Sequence, residues 1–139
     1  MKSLPDLRAQ HGWFTFPEPE ELYVAVTRIN RLLAAALDGL PLAGCRAWLV
    51  RAARLDLAGR ALSAGEGYAR RVESFRDLTR AELDFAAAWI EGCDLRAELA
   101  LLGWLPAPTA RRVARLLAEE EAIPERTRAR LVEWFCGGG

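Results

Sequence analysis

Thr79–Leu105, TRAELDFAAAWIEGCDLRAELALLGWL, is the most densely patterned apolar stretch of the chain, and its reading decides the fold class. Thr79 and Glu82 stand in the S/T-x-x-E spacing of a capping box, so a helix is expected to start just after Thr79. Leu83, Ala86, Ala87 and Ile90 then recur at three- and four-residue intervals and share one helical face. Gly92 suits a left-handed closing position, and Asp94 suits the N-cap of a second helix carrying Leu95, Leu99 and Leu102 as far as Gly103. So short a link predicts a helical hairpin, and the small side chains of Ala86, Ala87 and Ala88 admit a close neighbour.

The same spacing extends in both directions. Pro19 fits the first turn of a long helix, with Glu20 and Glu21 set against its positive end and Leu22, Val26, Ile29, Leu33 and Leu37 as its buried stripe. Asp38, Gly39 and Pro41 are expected to end it. A second helix is expected from about Leu42 towards Ala64, with Cys45, Trp48, Leu49, Ala52, Leu55 and Leu62 inward. On it Arg46, Arg51, Arg54 and Arg60 point outward, and Gly59 marks a break or a close crossing. Gly65, Glu66 and Gly67 read as a turn, followed by a helix bearing Tyr68, Val72 and Phe75 and ending near Leu78. Beyond the central stretch, Pro106 and Pro108 make a break and Thr109 caps a helix with Val113, Leu116 and Leu117 inside. Its end carries Glu119, Glu120 and Glu121, read as a solvated terminus, and Pro124 opens a last helix using Leu131, Val132 and Phe135. No strand-like block emerges. The expectation is an all-α, single-domain helical bundle of about six or seven helices, or stacked αα-hairpins. It divides into an irregular aromatic arm over 1–17, a helical domain over 18–136 and a glycine tail over 137–139.

Composition limits what such a bundle does. With 139 residues, 52% hydrophobic and 27% charged, the chain is long enough for one core and far from the disordered range. Its 19 basic and 19 acidic residues cancel, so no global field draws it to nucleic acid or an anionic membrane. Lys2 is the sole lysine. Arginine therefore carries almost all the positive charge, and arginine forms planar, two-pronged contacts with carboxylates and phosphates where lysine acts as a point charge. Cys45, Cys93 and Cys136 are odd in number and include no C-x-x-C, which argues against a disulfide framework and a zinc site. The opening MKSLPDLR has no signal-peptide core and no run reaches membrane-span length, so a cytoplasmic protein with no membrane partner is expected.

Chemistry is sparse. His11 is the sole histidine and lies in the arm; Gly65-Glu66-Gly67 is too short for a phosphate loop; no G-x-x-x-x-G-K occurs. No carboxylate interrupts an apolar stripe as an obvious buried acid. The reading is of a protein without catalytic residues, cofactor or metal.

Two binding readings remain: docking of another protein, and nucleic-acid binding, either through a C-terminal helix-turn-helix-like segment or as a small helical subunit of a nucleoprotein complex. Trp13, Phe14 and Phe16 cluster in the arm and either cover a core edge or form a docking segment for another protein. The docking reading makes the chain an adaptor, assembly factor, chaperone or inhibitor, and a homodimer is one further form that its remaining apolar faces allow.

The stretch from Leu57 to Leu102, with Gly65, Gly67 and Tyr68 at a turn, resembles tetratricopeptide packing, which implies a concave surface for a partner peptide, although no 34-residue period is present. Leu95 to Val132 is similar to the DNA-binding headpiece of LacI-type repressors, with Arg126-Thr127-Arg128-Ala129-Arg130-Leu131 echoing that family's closing segment. That likeness implies a recognition helix from Thr109 to Leu117 whose Thr109, Arg111, Arg112 and Arg115 face bases or phosphates. The chain departs from it in a longer, two-proline turn and in the acids that follow the helix.

Overall fold

Short polar side chains start several of the helices. Ser3 Oγ accepts the Asp6 amide at 3.2 Å, Thr79 Oγ1 the Glu82 amide at 3.2 Å and Asp94 Oδ1 the Ala97 amide at 3.3 Å. Each satisfies an N–H that has no partner within its own helix. The structure, a computed structural model, describes residues 1–37, 45–119 and 123–136, the last three by backbone alone. Its helices are α1 (Leu4–His11), α2 (Pro19–Ala36), α3 (Arg46–Glu66), α4 (Arg80–Gly92), α5 (Leu95–Leu101), α6 (Ala110–Glu119) and α7 (Glu125–Cys136). A 3-10 turn spans Phe75–Asp77, and no strand occurs among the described residues. Over the described residues the molecule is an all-α, single-domain bundle of seven helices.

These are not the same seven that periodicity predicts. The arm expected to be irregular over 1–17 holds α1, whose Leu4 and Leu7 are buried against α4; the residues on either side of it, 1–3 and 12–17, are non-helical. Conversely, no α-helix forms over 68–78, where only the 3-10 turn at Phe75–Asp77 occurs. Gly67 takes φ +80° and closes α3, and the Arg70 amide then donates to Ser63 Oγ at 2.8 Å, laying this segment back along α3. Val72 and Phe75 are buried and Tyr68 is exposed. Without a helix there, the tetratricopeptide-like hairpin does not form.

α3 and α4 are the axis of the bundle, with α1 on α4 and α2 against both. α3 is buried around more than one face. Cys45, Leu49 and Leu62 are inward, Trp48, Ala52 and Leu55 are half-buried, and Val50, Ala53, Leu57, Ala58 and Ala61 also lie in the core. Gly65 and Glu66 belong to the last turn of α3 rather than to a loop. A Cβ on Gly65 would stand 2.7 Å from the Phe85 ring of α4, and one on Gly59 3.1 Å from the Arg70 carbonyl. Both glycines mark close approach.

The stripes of α2 and α4 fall as the spacing predicts, with Ile29, Leu33, Leu37, Leu83, Ala86 and Ile90 buried and Leu22, Val26 and Ala87 half-buried. The expected stop at Asp38, Gly39 and Pro41, the start of α3 at Leu42, Glu120 and Glu121, the side chain of Phe135, and the glycine tail lie outside the described residues.

Two expectations about the central stretch change. Gly92 is the last residue of α4, not its left-handed cap, and Cys93 continues in extended conformation. The left-handed glycine is Gly103, with φ +84°. There the Trp104 amide donates to the Leu99 carbonyl at 2.8 Å and the Gly103 amide to that of Ala100 at 3.1 Å, the paired bonds of a Schellman cap on α5. α5 also packs more closely with α3 than along α4, so the two helices share a short link without forming a hairpin.

The arginine bias acquires a structural account. Arg46 and Arg96 donate to the Ala34 and Ala36 carbonyls at 3.1 and 3.5 Å, and Arg128 donates to that of Leu117 at 2.9 Å. Guanidinium groups thus answer unpaired carbonyls at the negative ends of α2 and α6. Arg54 is not outward: it donates to Asn30 Oδ1 at 2.7 Å and lies 5.3 Å from the Phe75 ring centroid, and burial lowers its pKa.

Candidate functional site

Two surfaces carry the residues that the sequence nominated. The first is the segment between α1 and α2. Gly12 ends α1 at φ +91°, turning the chain out of the helix. The segment is then pinned twice: Arg8 lies 4.1 Å from the Trp13 ring centroid, and the Thr15 carbonyl accepts the Arg80 amide at 2.7 Å. Trp13, Phe14 and Phe16 are nonetheless 61, 86 and 53% exposed. Of the two readings of this cluster, covering a core edge fails and a solvent-facing aromatic surface is what remains. Exposure was not legible in the sequence, since three rings in four residues suit either role.

Arg8 itself belongs to a buried ion network. It pairs bidentately with Glu66 at the end of α3, and Arg70 bonds both Glu66 at 2.8 Å and Glu82 at 2.6 Å. Glu82 Oε1 also accepts the Thr79 amide at 2.9 Å, so the capping box seen in the sequence is one corner of a four-residue cluster. Two guanidinium groups and two carboxylates balance. This cluster fixes α1, α3 and α4 relative to one another and holds the platform on which Trp13 rests.

The second surface is a groove of about 790 Å³ between α3, the segment around 70–73 and α6. Asp56 of α3 stands at its centre and gathers Arg115 at 2.6 Å, Arg112 at 3.6 Å and the indole N–H of Trp104 at 3.0 Å. Arg112 also donates to the Leu102 carbonyl at the end of α5. Arg71 and Glu119 pair at 2.6 Å, both well exposed. Arg60 pairs with Glu98 of α5. In all, six arginines and three carboxylates line the groove over a floor that includes Leu55, Val72 and Leu116.

The four residues taken from the repressor resemblance are therefore not brought together as a reading face. Arg112 and Arg115 meet at Asp56, Thr109 caps α6 by accepting the Arg112 amide at 3.3 Å, and Arg111 is exposed outside the groove. Asp56 is the residue sequence reasoning missed. It lies 59 positions from Arg115, and nothing local pairs them.

Burial pushes the Cys45 and Cys93 thiols up, away from thiolate, and Cys45 Sγ–H is aimed at the Thr127 carbonyl at 3.5 Å. His11 Nε2 lies 3.0 Å from Asp84. Among the described residues no group of three or more His, Cys, Asp or Glu side chains is placed to hold a metal ion, and no helix is long and apolar enough to cross a membrane.

Compared with known proteins, the chain matches no family model, no curated protein and no solved structure.

Proposed function

We propose that this chain is a non-enzymatic cytoplasmic protein that works by docking another protein, as an adaptor, assembly factor, chaperone or inhibitor, with Trp13, Phe14 and Phe16 as its anchors. The observation that supports this reading is an aromatic segment held in place yet facing solvent, with Phe14 86% exposed between two pinned neighbours. Aromatic side chains dominate the energetics of interfaces, and a segment already ordered loses little conformational freedom on binding. A free-swinging arm would have to be immobilised at about 0.5–1.5 kcal/mol for each mobile side chain.

A photo-crosslinking amino acid in place of Phe14 tests the reading, with the same probe in place of Leu101, which is 71% exposed on α5, as the control. Irradiation in cells is expected to give one discrete protein adduct from position 14 that is lost on Trp13→Ala and absent from position 101. An adduct with a second copy of the chain would identify the partner as the protein itself. Equal, diffuse labelling from both positions would overturn the reading.

A further inference from the structure

We propose that the protein docked by the aromatic segment is a second copy of this chain, with α2 of the two copies lying antiparallel about a two-fold axis; this rests on the docking reading and names its partner. The outer face of α2 points to it. Glu20, Val24, Thr27, Arg31 and Ala35 follow one another at three- and four-residue spacing and form one line along the helix. Val24 is 54% exposed and Tyr23, beside it, 72%. α3 and α4 take the opposite side, where Ile29 and Leu33 are fully buried. The charges on the outer line are the unanswered ones. Glu21 is held by Arg80, Arg28 by Glu91 and Asp84 by His11. The side chains of Glu20 and Arg31 have no partner among the described residues, and both are exposed.

Glu20 and Arg31 stand just over three turns apart, about 16 Å along the axis, too far to pair with each other. A second α2 laid antiparallel satisfies both at once. When Glu20 of one copy meets Arg31 of the other, the two-fold axis brings Arg31 of the first to Glu20 of the second, and Val24 meets Thr27 twice at the centre. Parallel pairing in register sets Glu20 against Glu20 and Arg31 against Arg31, so charge selects the antiparallel orientation. The aromatic segment falls into the same register. Phe16 and Pro17 directly precede α2, and pairing Glu20 with Arg31 carries them towards the exposed Ala35 of the other copy. Each copy contributes Trp13, Phe14, Phe16 and Tyr23, all more than half exposed. At about 150–250 Å² for an aromatic side chain, the two sets supply area on the order of the 1,200 Å² at which stable interfaces begin.

Sedimentation of the full chain and of two charge reversals at low salt is the test. The parent is expected to be a dimer at micromolar concentration. Glu20→Arg alone and Arg31→Glu alone each set like charges against like at two places in the interface, and each should raise the dissociation constant about tenfold or more. Both positions are exposed, so neither change reaches the core. Mixing the two single variants in equal amounts should restore a dimer containing one chain of each kind, because both cross-pairs are then opposite in sign. A monomeric parent, a dimer indifferent to both reversals, or a mixture no more associated than its components would overturn the proposal. The docking reading is judged separately by the crosslink at position 14: a monomeric parent whose adduct there is a different protein removes the second copy and keeps the docking role, and diffuse labelling removes both.

Discussion

Glu82→Gln is expected to lower the free energy of unfolding by about 3 kcal/mol, the order found when one partner of a buried ion pair is removed. The substitution keeps the size of the side chain. It cannot keep both roles, because Glu82 accepts the Thr79 amide with one oxygen and Arg70 with the other. A neutral amide leaves Arg8 and Arg70, both in contact with Glu66, with one carboxylate between them. Glu82→Met with Arg70→Met should cost less than the sum of the single changes, since replacing a whole buried pair by apolar groups is far milder than orphaning one member.

The same network sets the acid limit of the fold. Glu66 is held below the usual carboxylate range chiefly by the hydrogen bond from Arg8. For Glu82, burial opposes ionisation but is outweighed by the Thr79 amide and by Arg70, so its pKa is lowered too. A carboxyl whose pKa is lower in the folded chain than in the unfolded one stabilises fully above the unfolded value, about 4.3 for Glu. That contribution is lost as pH falls through the folded value. Unfolding followed by circular dichroism should therefore show stability that is flat near neutrality and falls below about pH 4.3. Glu82→Gln should show a shallower fall.

Trp104→Ala is expected to cost about 3–5 kcal/mol, the range for deleting a large buried aromatic. Trp104 is almost fully buried, follows the left-handed Gly103 that ends α5, and donates its indole N–H to Asp56. Trp104→Phe separates the two contributions. It keeps most of the ring volume and removes the donor, so the hydrogen-bond part should be about 1 kcal/mol. Thermal unfolding of the pair checks this: a phenylalanine variant as unstable as the alanine one would mean that the indole N–H, rather than packing, fixes the end of α5.

What could be read from the sequence was local. The Thr79–Glu82 box, the Asp94 cap and the stripe of α2 each depend on residues within one or two turns, and each is found where the spacing places it. The signals for α1 were equally local. Ser3, Pro5 and Asp6 are a cap, a first-turn proline and a first-turn acid, but the proline reads as punctuation when the apolar run is only Leu4 and Leu7. Tyr68, Val72 and Phe75 have helical spacing, yet three residues cannot separate a helix from an extended segment whose Arg70 amide is taken by Ser63. The sites were less legible because they are assembled across distance. Asp56 with Arg115, Arg71 with Glu119 and Arg8 with Glu66 are 59, 48 and 58 positions apart. Only the bundle brings them together.

A docking role requires the aromatic segment to face outward rather than seal the core, and equilibrium unfolding of Phe14→Ser with Phe16→Ser measures that directly. Trp13 is left in place because Arg8 stacks on it. The expected result is an unfolding free energy within about 0.5 kcal/mol of the parent, as for surface substitutions generally. A loss of about 3 kcal/mol or more, the size expected for a buried phenylalanine, would show that these rings hold the bundle together and would contradict the account.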